Sequence, residues 1–147
     1  MGRRTTLYIG LAGCLVSTAC VTGYSIKAVG EPLSPTFELE RTLYCGPKQG
    51  AVRVSEKDPQ AGSWNEIWSL DHAGDADIAI VRLNYGEVPK GFIAMTPAKP
   101  LKSGQPYLVH VRCSGGVFAS GLFRLDRDGA TLMLKNIEGE EARRLAP

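Results

Sequence analysis

The stretch at positions 107–113, YLVHVRC, constrains the fold more than any other part of the chain. Apolar side chains stand at every second position from Tyr107 and end on Cys113, and they alternate with His110 and Arg112. Successive side chains of a β-strand point to opposite faces, so this pattern predicts a strand with one face in a core. It also predicts that His110 and Arg112 lie on the face opposite that core.

Further short strand-like runs with turn residues between them fill the chain from position 36 to 137. They are FELERTLYC at 37–45, AVRVS at 51–55, WNEIWSL at 64–70, DIAIVRLNY at 77–85, FIAMT at 92–96, ASGLFRL at 119–125 and TLMLKNI at 131–137. Short strands separated by turn signals are typical of an all-β sandwich or barrel. The sequence therefore predicts one β domain over 36–137, followed by a polar C-terminal tail over 138–147.

The N-terminal segment has the three-part layout of an export signal. Arg3 and Arg4 precede an apolar run of 13 residues at 7–19, and small residues follow that run. A helix needs about 20 residues to cross the hydrocarbon core of a bilayer, so this run is too short to span one. We therefore expect 1–19 to be a signal peptide and 20–35 to be a tether.

Two cysteines end this N-terminal segment, in LAGC at 11–14 and in STAC at 17–20. Each four-residue stretch resembles the end of a bacterial lipoprotein signal, whose cysteine is lipidated and becomes the mature N-terminus. Cys20 is favoured because its apolar run has the proper length, and Cys14 is the alternative. Ordinary cleavage after Ala19 and an uncleaved anchor also stay open. The resemblance implies a lipid-anchored envelope protein, with the outer membrane favoured over the inner one and the domain in the periplasm or at the cell surface.

The two remaining cysteines, Cys45 and Cys113, lie in the predicted domain. A lone cysteine pair in an exported protein is normally oxidised, which predicts a disulfide between them. Two buried thiols are the alternative.

Leu101 and Gly104 stand six and three residues before Tyr107, the tyrosine that begins this strand pattern. This spacing resembles the tyrosine corner of fibronectin type III and immunoglobulin-like domains, in which the tyrosine hydroxyl bonds backbone a few residues upstream. The resemblance implies a single immunoglobulin-like β-sandwich of about seven strands, and it implies no activity.

Side chains suited to catalysis are few. The chain has only two histidines, and it contains no nucleophile elbow and no glycine-rich phosphate loop. The segment DHAGDAD at 71–77 is interpreted as a polar turn because its spacing fits no calcium loop. We predict no enzyme, no cofactor and no metal site.

Charge also argues against a nucleic-acid partner. Apart from Arg3 and Arg4, 15 basic residues balance 15 acidic ones, whereas phosphate binding needs a basic face. We expect an envelope protein partner instead.

Trp64, Trp68 and Phe92 form the candidate binding patch, together with the loop at 86–91, because exposed aromatic side chains supply large contact areas. The alternative is that one tryptophan belongs to the core. The predicted function is a cell-envelope lipoprotein with a small binding module, an accessory, inhibitor or immunity-type protein. The alternative function is a periplasmic enzyme or a carbohydrate-binding module that uses exposed tryptophan and carboxylates.

Overall fold

The computed structural model describes residues 23–147, which form an all-β fold of nine strands and one short helix. The strands are β1 (Gly23–Val29), β2 (Thr36–Cys45), β3 (Ala51–Lys57), β4 (Trp64–His72), β5 (Ile78–Asn84), β6 (Phe92–Thr96), β7 (Pro106–Arg112), β8 (Phe118–Asp128) and β9 (Thr131–Ile137), and the helix is α1 (Gly139–Leu145). The predictions on the signal peptide, Cys14 and Cys20 lie outside these residues.

The nine strands form one curled sheet in the order β5-β2-β1-β8-β7-β3-β4-β6, with β9 also paired to β8. Strand β1 is the link between the two parts of this sheet. Its residues 23–25 run parallel to β8, and its residues 26–29 then pair antiparallel with β2. The edge of β8 is therefore shared, because residues 118–120 pair with β1 and residues 122–128 pair with β9.

Asn136 of β9 holds β1 where the two strands separate. Its side-chain oxygen accepts a hydrogen bond of 2.8 Å from the N–H of Ala28, and its side-chain nitrogen donates one of 2.9 Å to the carbonyl oxygen of Ala28. The amide group thus satisfies two backbone groups of β1, as a neighbouring strand would otherwise do.

The core draws side chains from both parts of the sheet. Its largest fully buried members are Trp68, Tyr107, Phe37 and Phe123. The ring of Phe123 lies 5.5 Å from that of Phe37 and 5.2 Å from that of Tyr107, measured between centroids. Strand β7 shows the predicted alternation, with buried Tyr107, Val109 and Val111 and an exposed Arg112.

Two boundary predictions need correction. The structure has nine strands rather than about seven, and the range 20–35, predicted as a tether, contains β1. Residues 23–25 pair with β8 and residues 26–29 pair with β2, and the alternating side chains of Ile26 and Ala28 are buried. The range 138–147 contains α1, which buries no side chain.

Among residues 23–147, no helix has the length and apolar composition needed to cross a membrane.

Candidate functional site

Cys45 and Cys113 form the predicted disulfide, which is confirmed. Cys45 ends β2 and Cys113 follows β7, and their Cα atoms lie 5.1 Å apart although 68 positions separate them in sequence. Both residues are buried. The bridge is therefore a structural link between the two parts of the sheet.

The hydroxyl group of Tyr107 bonds backbone five residues upstream, as the resemblance implies. It accepts a hydrogen bond of 2.6 Å from the N–H of Lys102 and donates one of 3.2 Å to the carbonyl oxygen of the same residue. Leu101 is buried beside it, and Gly104 has a φ of 78°, a left-handed conformation that glycine adopts without strain. These three residues stabilise the approach to β7.

The predicted patch of Trp64, Trp68 and Phe92 does not form one surface. Trp68 is only 1% exposed and packs against Tyr85, with ring centroids 5.2 Å apart, so it belongs to the core. Trp64 begins β4, whereas Phe92 pairs with His72 at the other end of that strand. The prediction is therefore wrong for Trp68, and the other two side chains are far apart.

A β-bulge explains why the two tryptophans face opposite ways. In the pairing of β3 with β4, Val54 is opposite Trp68 but Ser55 is opposite Glu66, which leaves Ile67 as an extra residue. Such an insertion reverses the face on which all later side chains of the strand lie. Trp64 consequently lies on the outer face, half-buried, with the Nζ atom of Lys57 4.9 Å from its ring centroid.

The carboxylates of the 71–77 segment do not converge. Asp71 is bound by Arg53 at 2.6 Å, and Asp75 is paired with Lys48 at 3.0 Å. Within residues 23–147, no group of three or more histidine, cysteine or acidic side chains is placed to hold a metal ion.

A polar network on β3, β4 and β6 is the feature that sequence reasoning missed. Arg53 bridges Asp71 and Glu66, with its Nε atom 3.2 Å from the Glu66 carboxylate, and Ser69 and Thr96 donate hydrogen bonds of 2.6 and 2.5 Å to that carboxylate. Burial would raise the pKa of Glu66, but these hydrogen bonds and Arg53 hold it below its ordinary value. The network thus attaches β6 to β4, and only the strand register could have revealed it.

His110 lies on the outer face, as predicted. Its ring packs edge-on against Phe118, with centroids 5.5 Å apart, and its Nε2 atom is buried without a hydrogen-bond partner. Burial, followed by the charge of Arg112, lowers the pKa of His110. This environment favours the neutral imidazole.

The most exposed apolar surface near the predicted loop belongs to β6 and the residues before it. Val88 in that loop is 50% exposed, and Ile93 and Met95 of β6 are 50% and 56% exposed. Strand β6 pairs with β4 alone and ends the sheet, so its other side has no β-strand partner among the described residues. We call this side of Phe92–Thr96 the β6 edge.

No protein-family model matches the chain, and no curated protein matches it. A function for this chain therefore has to be inferred from the chemistry of the described residues. Seven large apolar side chains of these residues are at least 45% exposed, and Ile93 and Met95 of β6 are two of them. Exposed apolar side chains that lie close together are suited to binding another chain.

Proposed function

We propose that the protein is a bacterial cell-envelope lipoprotein whose β domain is a partner-binding module. A lipid on Cys20, or alternatively on Cys14, anchors it to a membrane, and the domain faces the periplasm or the cell exterior. The observation that carries the binding role is the exposed and uncharged β6 edge. The Cys45–Cys113 disulfide supports the compartment, because disulfides persist in oxidising environments and are rare in the bacterial cytosol.

The domain itself is, in this proposal, an immunoglobulin-like sandwich formed by the curled sheet. Three features support this: β1 pairs with both β2 and β8, the disulfide joins β2 to the end of β7, and Tyr107 bonds the backbone of Lys102. A disulfide between the two layers and a tyrosine that bonds upstream backbone both occur in such sandwiches, although here the tyrosine lies six residues before the cysteine rather than two.

Binding is better supported than the enzymatic or carbohydrate-binding alternatives. A stacking platform of two tryptophans is not compatible with the burial of Trp68. Glu66 and Asp71 both lie on the outer face, and Arg53 binds both of them. A charge-paired carboxylate is a poor general acid because its proton is held less tightly.

The anchor is tested by the intact mass of the protein purified from a bacterial membrane fraction, with Cys20→Ser and Cys14→Ser as paired variants. The expected mass carries three acyl chains on Cys20, and only Cys20→Ser loses them and moves the protein to the soluble fraction. An unlipidated wild-type protein in the soluble fraction would refute the anchor.

The binding role is tested by photo-crosslinking in cells, with a photoreactive amino acid placed at Ile93 or at Val81. Val81 is the matched control because it is 51% exposed and also lies in a strand at the end of the sheet. A discrete adduct with an envelope protein is expected from position 93 alone. Identical patterns from both positions would contradict a binding role for the β6 edge.

A further inference from the structure

The β6 edge differs from the other strands that have a single β partner. Strands β5 and β9 each carry a cationic residue, Arg82 in β5 and Lys135 in β9. Strand β6, with the sequence FIAMT, carries no charge. Charged residues on edge strands are a common protection against pairing with other chains. Among these strands, β6 alone lacks that protection.

We propose that the β6 edge binds an extended segment of its partner as an added β-strand, and that this segment has alternating apolar residues and acidic residues at both ends. The inference rests on the proposed binding role and specifies its chemistry. Main-chain hydrogen bonds supply affinity in this mode of recognition, and alternate side chains supply specificity. Ile93 and Met95 are the exposed side chains that the apolar positions contact.

Two lysines that flank β6 are the reason for placing acidic residues at both ends of the bound segment. Lys90 precedes β6 by two positions and Lys99 follows it by three, and neither makes an ion pair within residues 23–147. The N–H of Lys99 donates a hydrogen bond of 3.1 Å to Ile67 of β4, so the chain continues beside the sheet beyond β6. An extended segment of about ten residues reaches from one lysine to the other at about 3.3 Å per residue.

The same lysines disfavour a second copy of this chain as the partner. Two β6 strands paired about a two-fold axis at Ala94 would place Lys90 of one copy beside Lys99 of the other. Like charges brought together at both ends of an interface oppose association, whereas acidic residues complement them.

The β6 edge is held in place before any partner binds. At its start, the N–H of Ala73 donates a 2.8 Å hydrogen bond to Gly91, and the ring of Phe92 packs on His72 with centroids 5.6 Å apart. At its end, Thr96 is bonded to Glu66. A preorganised strand loses little conformational entropy on binding. The register shift between β4 and β6 limits the regular pairing to Phe92–Ala94, so we expect a weak and reversible complex.

The test is an NMR titration of the isotope-labelled protein, purified from bacterial membranes in mild detergent. The probe is a synthetic peptide with alternating valine and threonine and two acidic residues at each end. Amide shifts should concentrate in β6, and amide exchange there should slow. A peptide with the same centre and lysine ends should bind at least about fivefold more weakly, and a central proline should abolish binding. Equal binding of all three peptides, or shifts confined to β5, would overturn the proposal.

Protein variants provide the matched comparison. Ile93→Lys should weaken peptide binding about tenfold or more, with Met95→Lys as a second variant, whereas Val81→Lys on β5 should change it less than about twofold. Equal losses from positions 93 and 81 would overturn the proposal, as would a wild-type dimer that Ile93→Lys dissociates. The result is separate from the anchor test, because a lipidated mass with no peptide binding refutes strand addition alone.

Discussion

The carbonyl oxygen of Ile26 lies against Gly121, in the space that a side chain at position 121 would occupy. Gly121 falls between the part of β8 that pairs with β1 and the part that pairs with β9. Because glycine has no Cβ atom, the backbone of β1 can lie close to β8 at the point where β1 changes its pairing partner from β8 to β2. A residue in the centre of β8 thus allows residues 23–29 to form a strand of the domain.

Replacing Gly121 with alanine should lower the free energy of unfolding by about 2 kcal/mol or more, because the obstacle is backbone and cannot rotate away. Gly46→Ala is the control, since a Cβ atom there would meet only the end of the flexible Gln49 side chain. That control should change stability by less than about 0.5 kcal/mol. Urea unfolding measures both, and similar values for the two variants would show that the close approach does not matter.

Removing the disulfide should lower the free energy of unfolding by more than the loss of any single noncovalent contact does. Sulfur atoms that join residues 68 positions apart restrict the unfolded chain, and the chain-entropy model assigns such a loop about 4 kcal/mol. The paired variant Cys45→Ala/Cys113→Ala should lose about that amount in guanidinium unfolding. Wild type treated with a thiol reagent without prior reduction is the control and should remain unchanged. A variant as stable as wild type would mean that native strain offsets the entropy.

Local patterns in the sequence predict much of this fold. The alternation of β7 and the inward position of Cys113 follow from a period of two, and both are confirmed. Strand β1 was missed because its two partners are set by tertiary contacts: residue 23 pairs with residue 118, and residue 26 pairs with residue 39. Nothing within the sequence GYSIKAV indicates that its partner strands lie so far away along the chain.

The candidate site was predictable only in part. The loop before β6 was named from its sequence, but whether a strand lies at the edge of a sheet depends on the order of all the strands. Trp64 and Trp68 are four positions apart, so a regular strand would place them on one face. The extra residue Ile67 separates them, and a bulge of this kind has no reliable signal in a single sequence.

Tyr107 and Tyr85 allow a paired test of the two buried hydroxyl groups. Tyr107→Phe leaves the N–H of Lys102 without its partner, which should cost about 1–3 kcal/mol of unfolding free energy. Tyr85 donates a single hydrogen bond of 2.7 Å to the carbonyl oxygen of Lys99, so Tyr85→Phe should cost about 1 kcal/mol. Urea unfolding of both variants gives the comparison, and a larger loss at Tyr85 would contradict the role assigned to Tyr107.

His110 should make the domain less stable as the pH falls below neutral. Burial, followed by Arg112, lowers its pKa below the ordinary value of 6.5, so the unfolded chain binds a proton more readily than the folded one. The stability that neutral His110 provides is therefore fully present above the ordinary pKa. It declines as the pH falls from there through the pKa of the folded state.

Urea midpoints between about pH 7.5 and pH 5.5 measure this decline, with His110→Gln as the comparison because glutamine keeps a polar side chain that does not titrate there. The variant should show a flatter dependence on pH than wild type. Glu40, Asp58 and Glu66, whose pKa values are also lowered, have ordinary values of 4.5, 3.8 and 4.5, so they act below this range. His72 is present in both proteins and cancels in the comparison. Parallel pH profiles would show that the imidazole of His110 is not held in its neutral form by the fold.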